Sequence, residues 1–174
     1  MKQLNVKIRA AVAEDAVGVA QVHIRSWQET YRGLMPGNYL DNLNSLEGER
    51  RLGFWKKNLA DSETARTTWV AQKDDEIIGF ISVGKSRDKE PVADGEVYAI
   101  YLLKAHQGSG IGRALFDAGV TVLKEMGMKS ASLWVAKGNE TEGFCRHLGG
   151  LLQGEKIDKC GGMENIAECR YVWR

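Results

Sequence analysis

Three glycines at alternate positions, Gly108, Gly110 and Gly112, occur in HQGSGIGRAL (residues 106–115), between the apolar run EVYAIYLL and a stretch with helical spacing. The first amide N–H groups of a helix have no intrahelical partner and lie at the positive end of its dipole, and glycine leaves room for phosphate oxygens to reach them. The turn is therefore a candidate phosphate cradle. Spacing excludes two common versions. GxxxxGK[ST] fails because no Lys-Ser or Lys-Thr closes the turn at Gly112, which disfavours metal-assisted NTP chemistry. GxGxxG fails because the glycines fall at 108, 110 and 112, and because the turn follows the fourth expected strand, not the first. What remains is Gln-x-x-Gly-x-Gly, as Gln107, Gly110 and Gly112. Asn139 opens the helical stretch NETEGFCRHLGG and is a good N-cap residue. His23, Trp27 and Tyr31 recur every four residues on one helical face, a stripe that is more often core packing than ligand contact.

These residues need a mixed α/β frame to hold them. NVKIRAAV alternates as a half-buried strand, and AEDAVGVAQVHIRSWQETYRGL then turns to helical spacing. After the Pro-Gly break, MPGNYLDNLNSLEGERRLGFWKKNL reads as an irregular insert of two short amphipathic helices. TTWVAQKDDEIIGFISVGKS is a hairpin about KDDE, GEVYAIYLL the next strand, and RDKEPVAD between them a solvated loop. SGIGRALFDAGVTVLKEMG is a helix stopped by Gly127, ASLWVAK a strand, and NETEGFCRHLGG a short helix. GLLQGEKI and IAECRYVWR complete the chain as strands. With no linker, composition shift or internal repeat, residues 1–174 are expected to form a single domain.

The 174 residues are 43% hydrophobic and 27% charged, ordinary values for a globular protein. Lys plus Arg number 24 against 23 Asp plus Glu, so no global charge points to nucleic acid. Cys145, Cys160 and Cys169 lack metal or redox spacing, which disfavours a zinc site and suits reduced thiols. No signal-peptide pattern and no apolar run near 20 residues occurs, so a cytoplasmic protein without a membrane partner is expected.

The Gln107, Gly110, Gly112 motif between a strand and a helix resembles that of the GNAT N-acetyltransferase superfamily. The resemblance extends through VHIRSWQETYRGLMPGNYLDNL, TWVAQKDDEIIGFISVG, GEVYAIYLLKAHQGSGIGRAL and LWVAKGNETEGFCRHLG, in that order. It implies a central, mostly antiparallel twisted sheet flanked by helices, with the fourth and fifth strands splayed, and acetyl-CoA bound in the gap as co-substrate, without a metal. Backbone groups of Ile100, Tyr101 and Leu102 would pair with the pantetheine arm like an added strand. Amides of Gln107, Gly108, Ser109, Gly110, Ile111 and Gly112 would take the pyrophosphate, and Asn139 would contact the pantetheine or adenosine side. Homodimers are frequent in such proteins, so a dimer is one expectation.

The activity the resemblance implies is acetyl transfer to a primary amine, and it needs a group to take the ammonium proton. Glu96, near the start of the fourth strand, is the candidate. Simple alternation puts Glu96, Tyr98 and Ile100 on one face and Val97, Ala99 and Tyr101 on the other, so Tyr98 would share the acceptor pocket with Glu96. Trp27 and Tyr31 are candidate walls of that pocket, with RDKEPVAD and DKCGGMEN as flexible loops at its rim. Many relatives carry Phe-Tyr where this chain has Phe144-Cys145, and the cysteine reads better as a small buried hydrophobe than as a proton donor. Two other readings stand beside this one: a coenzyme-binding module without turnover, and a nucleotide-binding protein using the same turn.

Overall fold

A computed structural model of the chain describes residues 5–33, 36–41, 46–61, 66–160 and 163–174. Its seven-stranded sheet has the order β1-β2-β3-β4-β5-β7-β6. The strands are β1 Val6–Ala10, β2 Arg66–Lys73, β3 Glu76–Lys85, β4 Gly95–Leu102, β5 Ala131–Ala136, β6 Leu151–Cys160 and β7 Met163–Trp173. All neighbouring pairs are antiparallel except β4 and β5. The helices are α1 Ala16–Thr30, α2 Gly37–Asp41, α3 Leu46–Ala60, α4 Ile111–Glu125 and α5 Thr141–His147.

Each face of the sheet is covered because each long helix presents one apolar stripe. Ile111, Leu115, Val122 and Leu123 of α4 and Cys145 of α5 pack with Ile81, Val83, Val97 and Leu133 of the strands. On the other face, Val19, Ala20 and Val22 of α1 and Trp55 of α3 close over Val70 and Phe80. Trp27 and Tyr31 are buried in a third cluster with Ile24, Leu40 and Ala136. The hairpin expected about KDDE forms with Asp74 and Asp75 as its turn, Asp74 taking a positive φ of 52°. Among the described residues, no helix is long and apolar enough to cross a membrane, and no group of three or more His, Cys, Asp or Glu side chains is placed to hold a metal.

The alternation expected along β4 is corrected by a bulge. Ser82 pairs with Ala99 but Val83 with Val97, leaving Tyr98 as the extra residue. Val97, Ile100 and Leu102 consequently all join the α4 face, while Ala99 and Tyr101 turn to the α1 face. Ile100 therefore lies opposite Tyr101 and away from the α1 side. The rim loops expected to be flexible also differ. Arg87 hydrogen-bonds Glu96, and Asp88 accepts from Trp134 and Arg170, so RDKEPVAD is tethered at its start. DKCGGMEN lies largely in the strands β6 and β7, except for residues 161 and 162, which fall outside the described set.

Candidate active site

β4 and β5 pair at only two positions, Gly95 with Ala131 and Glu96 with Ser132. Beyond Glu96 they part, and the β5-facing edge of β4 has no strand partner among the described residues. A cavity of about 400 Å3 occupies the opening. Its lining includes Ile100 and Leu102 on one wall, Asn139, Phe144 and Leu148 on the other, and Gln107, Gly108, Gly110, Gly112 and Arg113 at the end.

The turn at that end is built to expose amides. Gly108 and Gly110 have φ of 78° and 84°, a left-handed conformation that costs an L side chain about 1–2 kcal/mol. Gly110 is the N-cap of α4 and supplies no side chain to cap it. The amides of residues 108–113 find no acceptor among the described residues, and the first bond of the helix is Ala114 N–H to the Gly110 carbonyl. A run of open N–H groups at a helix start suits a phosphate. Gln107 contributes differently: its Nε2 donates to the Leu102 carbonyl at 3.0 Å, tying the turn to the end of β4. Ser109 and Ile111 do not line the cavity. The Ser109 hydroxyl donates to the His106 carbonyl, and the Ile111 side chain is buried in the core.

Asn139 both caps and lines. Its Oδ1 accepts the Thr141 N–H at 2.9 Å at the start of α5, and the residue faces the cavity. Cys145 is fully buried, and burial, reinforced by Glu142, pushes its thiol up to about 12. A thiol held so firmly protonated is a packing residue, and a poor donor to a leaving thiolate.

On the α1 face, Glu96 is buried and its carboxylate accepts three N–H groups of Arg87, from the backbone at 2.9 Å, Nε at 3.3 Å and Nη2 at 2.7 Å. Tyr98 donates its hydroxyl to the Lys85 carbonyl at 2.6 Å, and the guanidinium groups of Arg87 and Arg66 lie 4.2 and 4.5 Å from its ring centroid. Burial, and then Glu96, raises the Tyr98 phenol above its ordinary value. Tyr101 turns its ring away from the cavity: it stacks on His23 and its hydroxyl accepts the Trp27 Nε1–H at 2.8 Å. Trp27 in turn packs on Tyr31, with centroids 4.7 Å apart. The structure thus brings Ile100, Leu102, Gln107, Gly108, Gly110, Gly112 and Asn139 to one cavity, and sets Glu96, Tyr98, Trp27 and Tyr31 on the α1 side of β4.

Sequence reasoning missed several contributors. Phe144 and Arg113 line the cavity; Arg113, directly after Ile111 and Gly112, reads in sequence as a possible phosphate contact but more readily as a solvated basic residue beside the turn. Arg51, Arg66 and Arg87 reach the α1 side from a helix, a strand and a loop, and no local pattern marks them.

A sequence model of the acetyltransferase (GNAT) family matches residues 19–149. The uncharacterized N-acetyltransferase YuaI of Bacillus subtilis strain 168 is 38% identical over 135 residues, which cover 77% of this chain and 73% of YuaI. Among solved structures, the PaiA N-acetyltransferase of Thermoplasma acidophilum in complex with coenzyme A has a TM-score of 0.66 at 22% identity, over 94% of this chain and 98% of that one. YncA of Salmonella typhimurium, solved with its cofactor acetyl-CoA, has a TM-score of 0.69 at 16% identity, over 98% and 94% of the two chains. At these identities the structural likeness speaks to the fold.

Proposed function

Because the chain belongs to the acetyltransferase (GNAT) family and is an acyltransferase, we propose that it moves an acetyl group from acetyl-CoA to a primary amine of a small molecule, peptide or protein by direct attack in a ternary complex. One observation carries this reading: the unpaired edge of β4 opens into a cavity that ends at a row of open amides. A strand edge suits the two amides of a pantetheine arm, and the amides of residues 108–113 suit a pyrophosphate.

When bound, acetyl-CoA supplies an acyl carbon activated as a thioester. The residues of this chain bind and orient. Backbone groups of Ile100, Tyr101 and Leu102 pair with the arm, the turn from Gln107 to Gly112 holds the phosphates, and Asn139 presents its side-chain amide from the facing wall. Glu96 takes the proton of the acceptor ammonium through water. A carboxylate offers about four lone-pair sites, and three donors from Arg87 occupy Glu96, leaving room for one more. Tyr98 beside it, with Trp27 and Tyr31, forms the acceptor side.

Calorimetric titration with acetyl-CoA, on wild type and on Gly110→Trp, tests the cofactor site. Saturable binding that the substitution abolishes in a folded variant is the expected result. A folded wild type that binds no acetyl-CoA would overturn the reading. Glu96→Gln should then lose most of its multiple-turnover acetylation while still binding acetyl-CoA, and an unchanged rate at every pH would remove Glu96 from the proton path.

A further inference from the structure

Across β4 from the cavity, the His23 ring stacks on Tyr101 with centroids 5.2 Å apart and meets Trp27, Trp55 and Phe80 edge-on. Two donors converge on this ring. Trp55 Nε1–H points at Nδ1 from 3.2 Å, and Arg51 Nη1 lies 2.7 Å from Nε2. Tryptophan and arginine nitrogens are donors only, and a neutral imidazole has one N–H and one lone pair. Three N–H groups therefore share one acceptor.

Protonation cannot relieve the conflict, because it would remove that last lone pair. Desolvation of the ring, with the charges of Arg51 and Arg66, in fact holds His23 down to about 3. Arg51 adds to the surplus. Its Nε is buried without a hydrogen-bond partner, and its guanidinium lies 4.5 Å from the Trp27 ring centroid. Among the residues whose side chains are described, no carboxylate pairs with it.

The group has a shortage of acceptor oxygens beside a fixed positive charge. If Trp55 donates to Nδ1, His23 carries its proton on Nε2, and that N–H then faces the Arg51 Nη1 donor at 2.7 Å, a repulsive contact that is relieved when the guanidinium moves off far enough for one oxygen to accept from both. A carboxylate matches that demand: it is planar, it pairs with a guanidinium through two parallel hydrogen bonds, and it carries the compensating charge. The position is also connected to the chemistry proposed above. Arg66 lies 6.0 Å from the ring centroid of Trp55, which reaches His23, and 4.5 Å from that of Tyr98, the residue that bulges two positions after Glu96, and Tyr101 is flanked in sequence by the cavity residues Ile100 and Leu102.

We propose that Arg51 and His23 form a carboxylate-binding subsite, so that the acceptor is an amine bearing a carboxylate, such as an amino acid or a peptide with a free acid group. The inference rests on the acceptor side assigned under the proposed function, and a test that does not depend on turnover separates the two. Imidazole 15N spectra, with His23 assigned from a His23→Asn variant, report the tautomer directly. Titration with sodium acetate, against sodium chloride at equal ionic strength, should shift the His23 nitrogens saturably and fix the proton on Nε2. Arg51→Gln should weaken that response about tenfold or more, the scale of one charge-assisted hydrogen bond, and still bind coenzyme A like wild type by calorimetry. Arg51→Lys, which keeps the charge and loses the fork, should fall between. A His23 signal indifferent to acetate, or equally responsive in Arg51→Gln, overturns the subsite even if coenzyme A binds. Loss of coenzyme A binding in wild type would instead overturn the broader reading.

Discussion

Gly110 carries the geometry of the turn, and replacing it with alanine separates strain from binding. It opens α4 at φ 84° and ψ −3°, and a Cβ there would meet nothing within 4 Å. The cost is thus conformational, about 1–2 kcal/mol for an L residue held left-handed. If the turn keeps its shape, unfolding stability falls by that amount and coenzyme A affinity holds. If the turn relaxes, stability is spared, but the amides after residue 110 leave their places and binding must restore them, about tenfold in affinity for each 1.4 kcal/mol. The two losses should therefore sum to about 1–2 kcal/mol however they divide, with any contact between the new methyl and the ligand adding to the binding loss. Gly119→Ala is the contrast. It lies mid-helix, where a Cβ would come 2.5 Å from Ile81 Cδ1 and 3.0 Å from Val83 Cγ1. Overpacking of about 1–3 kcal/mol offsets a helix-propensity gain of about 1 kcal/mol, so stability should fall by roughly 1 kcal/mol with coenzyme A affinity unchanged. Urea unfolding and calorimetry on the three proteins measure both quantities. A Gly110→Ala protein equal to wild type in stability and affinity would refute the role given to the turn, as would a larger affinity loss in Gly119→Ala.

Three further outcomes follow from the same contacts. Arg87→Ala removes two of the three donors on Glu96, whose side chain is 3% exposed; with Arg87 itself half exposed, the loss should be about 2 kcal/mol in urea unfolding, and no change would show the pair to be incidental. Cys145→Ala should keep the acetylation rate within about twofold and lose about 1 kcal/mol of stability, whereas a rate collapse in a folded variant would make the thiol a participant. His23 is held down to about 3 in the folded protein against about 6.5 unfolded, so its contribution is intact above pH 6.5 and is lost as pH falls toward 3, at up to about 1.4 kcal/mol per pH unit. The difference in unfolding free energy between wild type and His23→Asn should shrink across that window, and a constant difference would mean that His23 titrates normally.

The parts of this molecule that were legible in sequence are those that depend on backbone and on local pattern. Alternate glycines before a helical run announce a turn with room for a phosphate at open amides, and the structure adds that Gly108 and Gly110 take positive φ there. The polar KDDE likewise marks a hairpin, and the turn falls at Asp74 and Asp75. The faces of β4 were misread because alternation assumes an unbroken ladder, and one extra residue, Tyr98, reverses the side chains after it. Nothing in EVYAIYLL signals that slip, since a bulge is set by the register with β3. The acceptor side was least legible, because its chemistry arises between distant segments. Arg51 reaches His23 across 28 residues and Trp55 across 32, joining α3 to α1 through side chains whose spacing within each helix is unremarkable. A helical pattern can show that His23 and Trp55 face inward. It cannot show that two donors meet on one imidazole, and that conflict over a single lone pair is what turns an ordinary aromatic cluster into a site that asks for an acid.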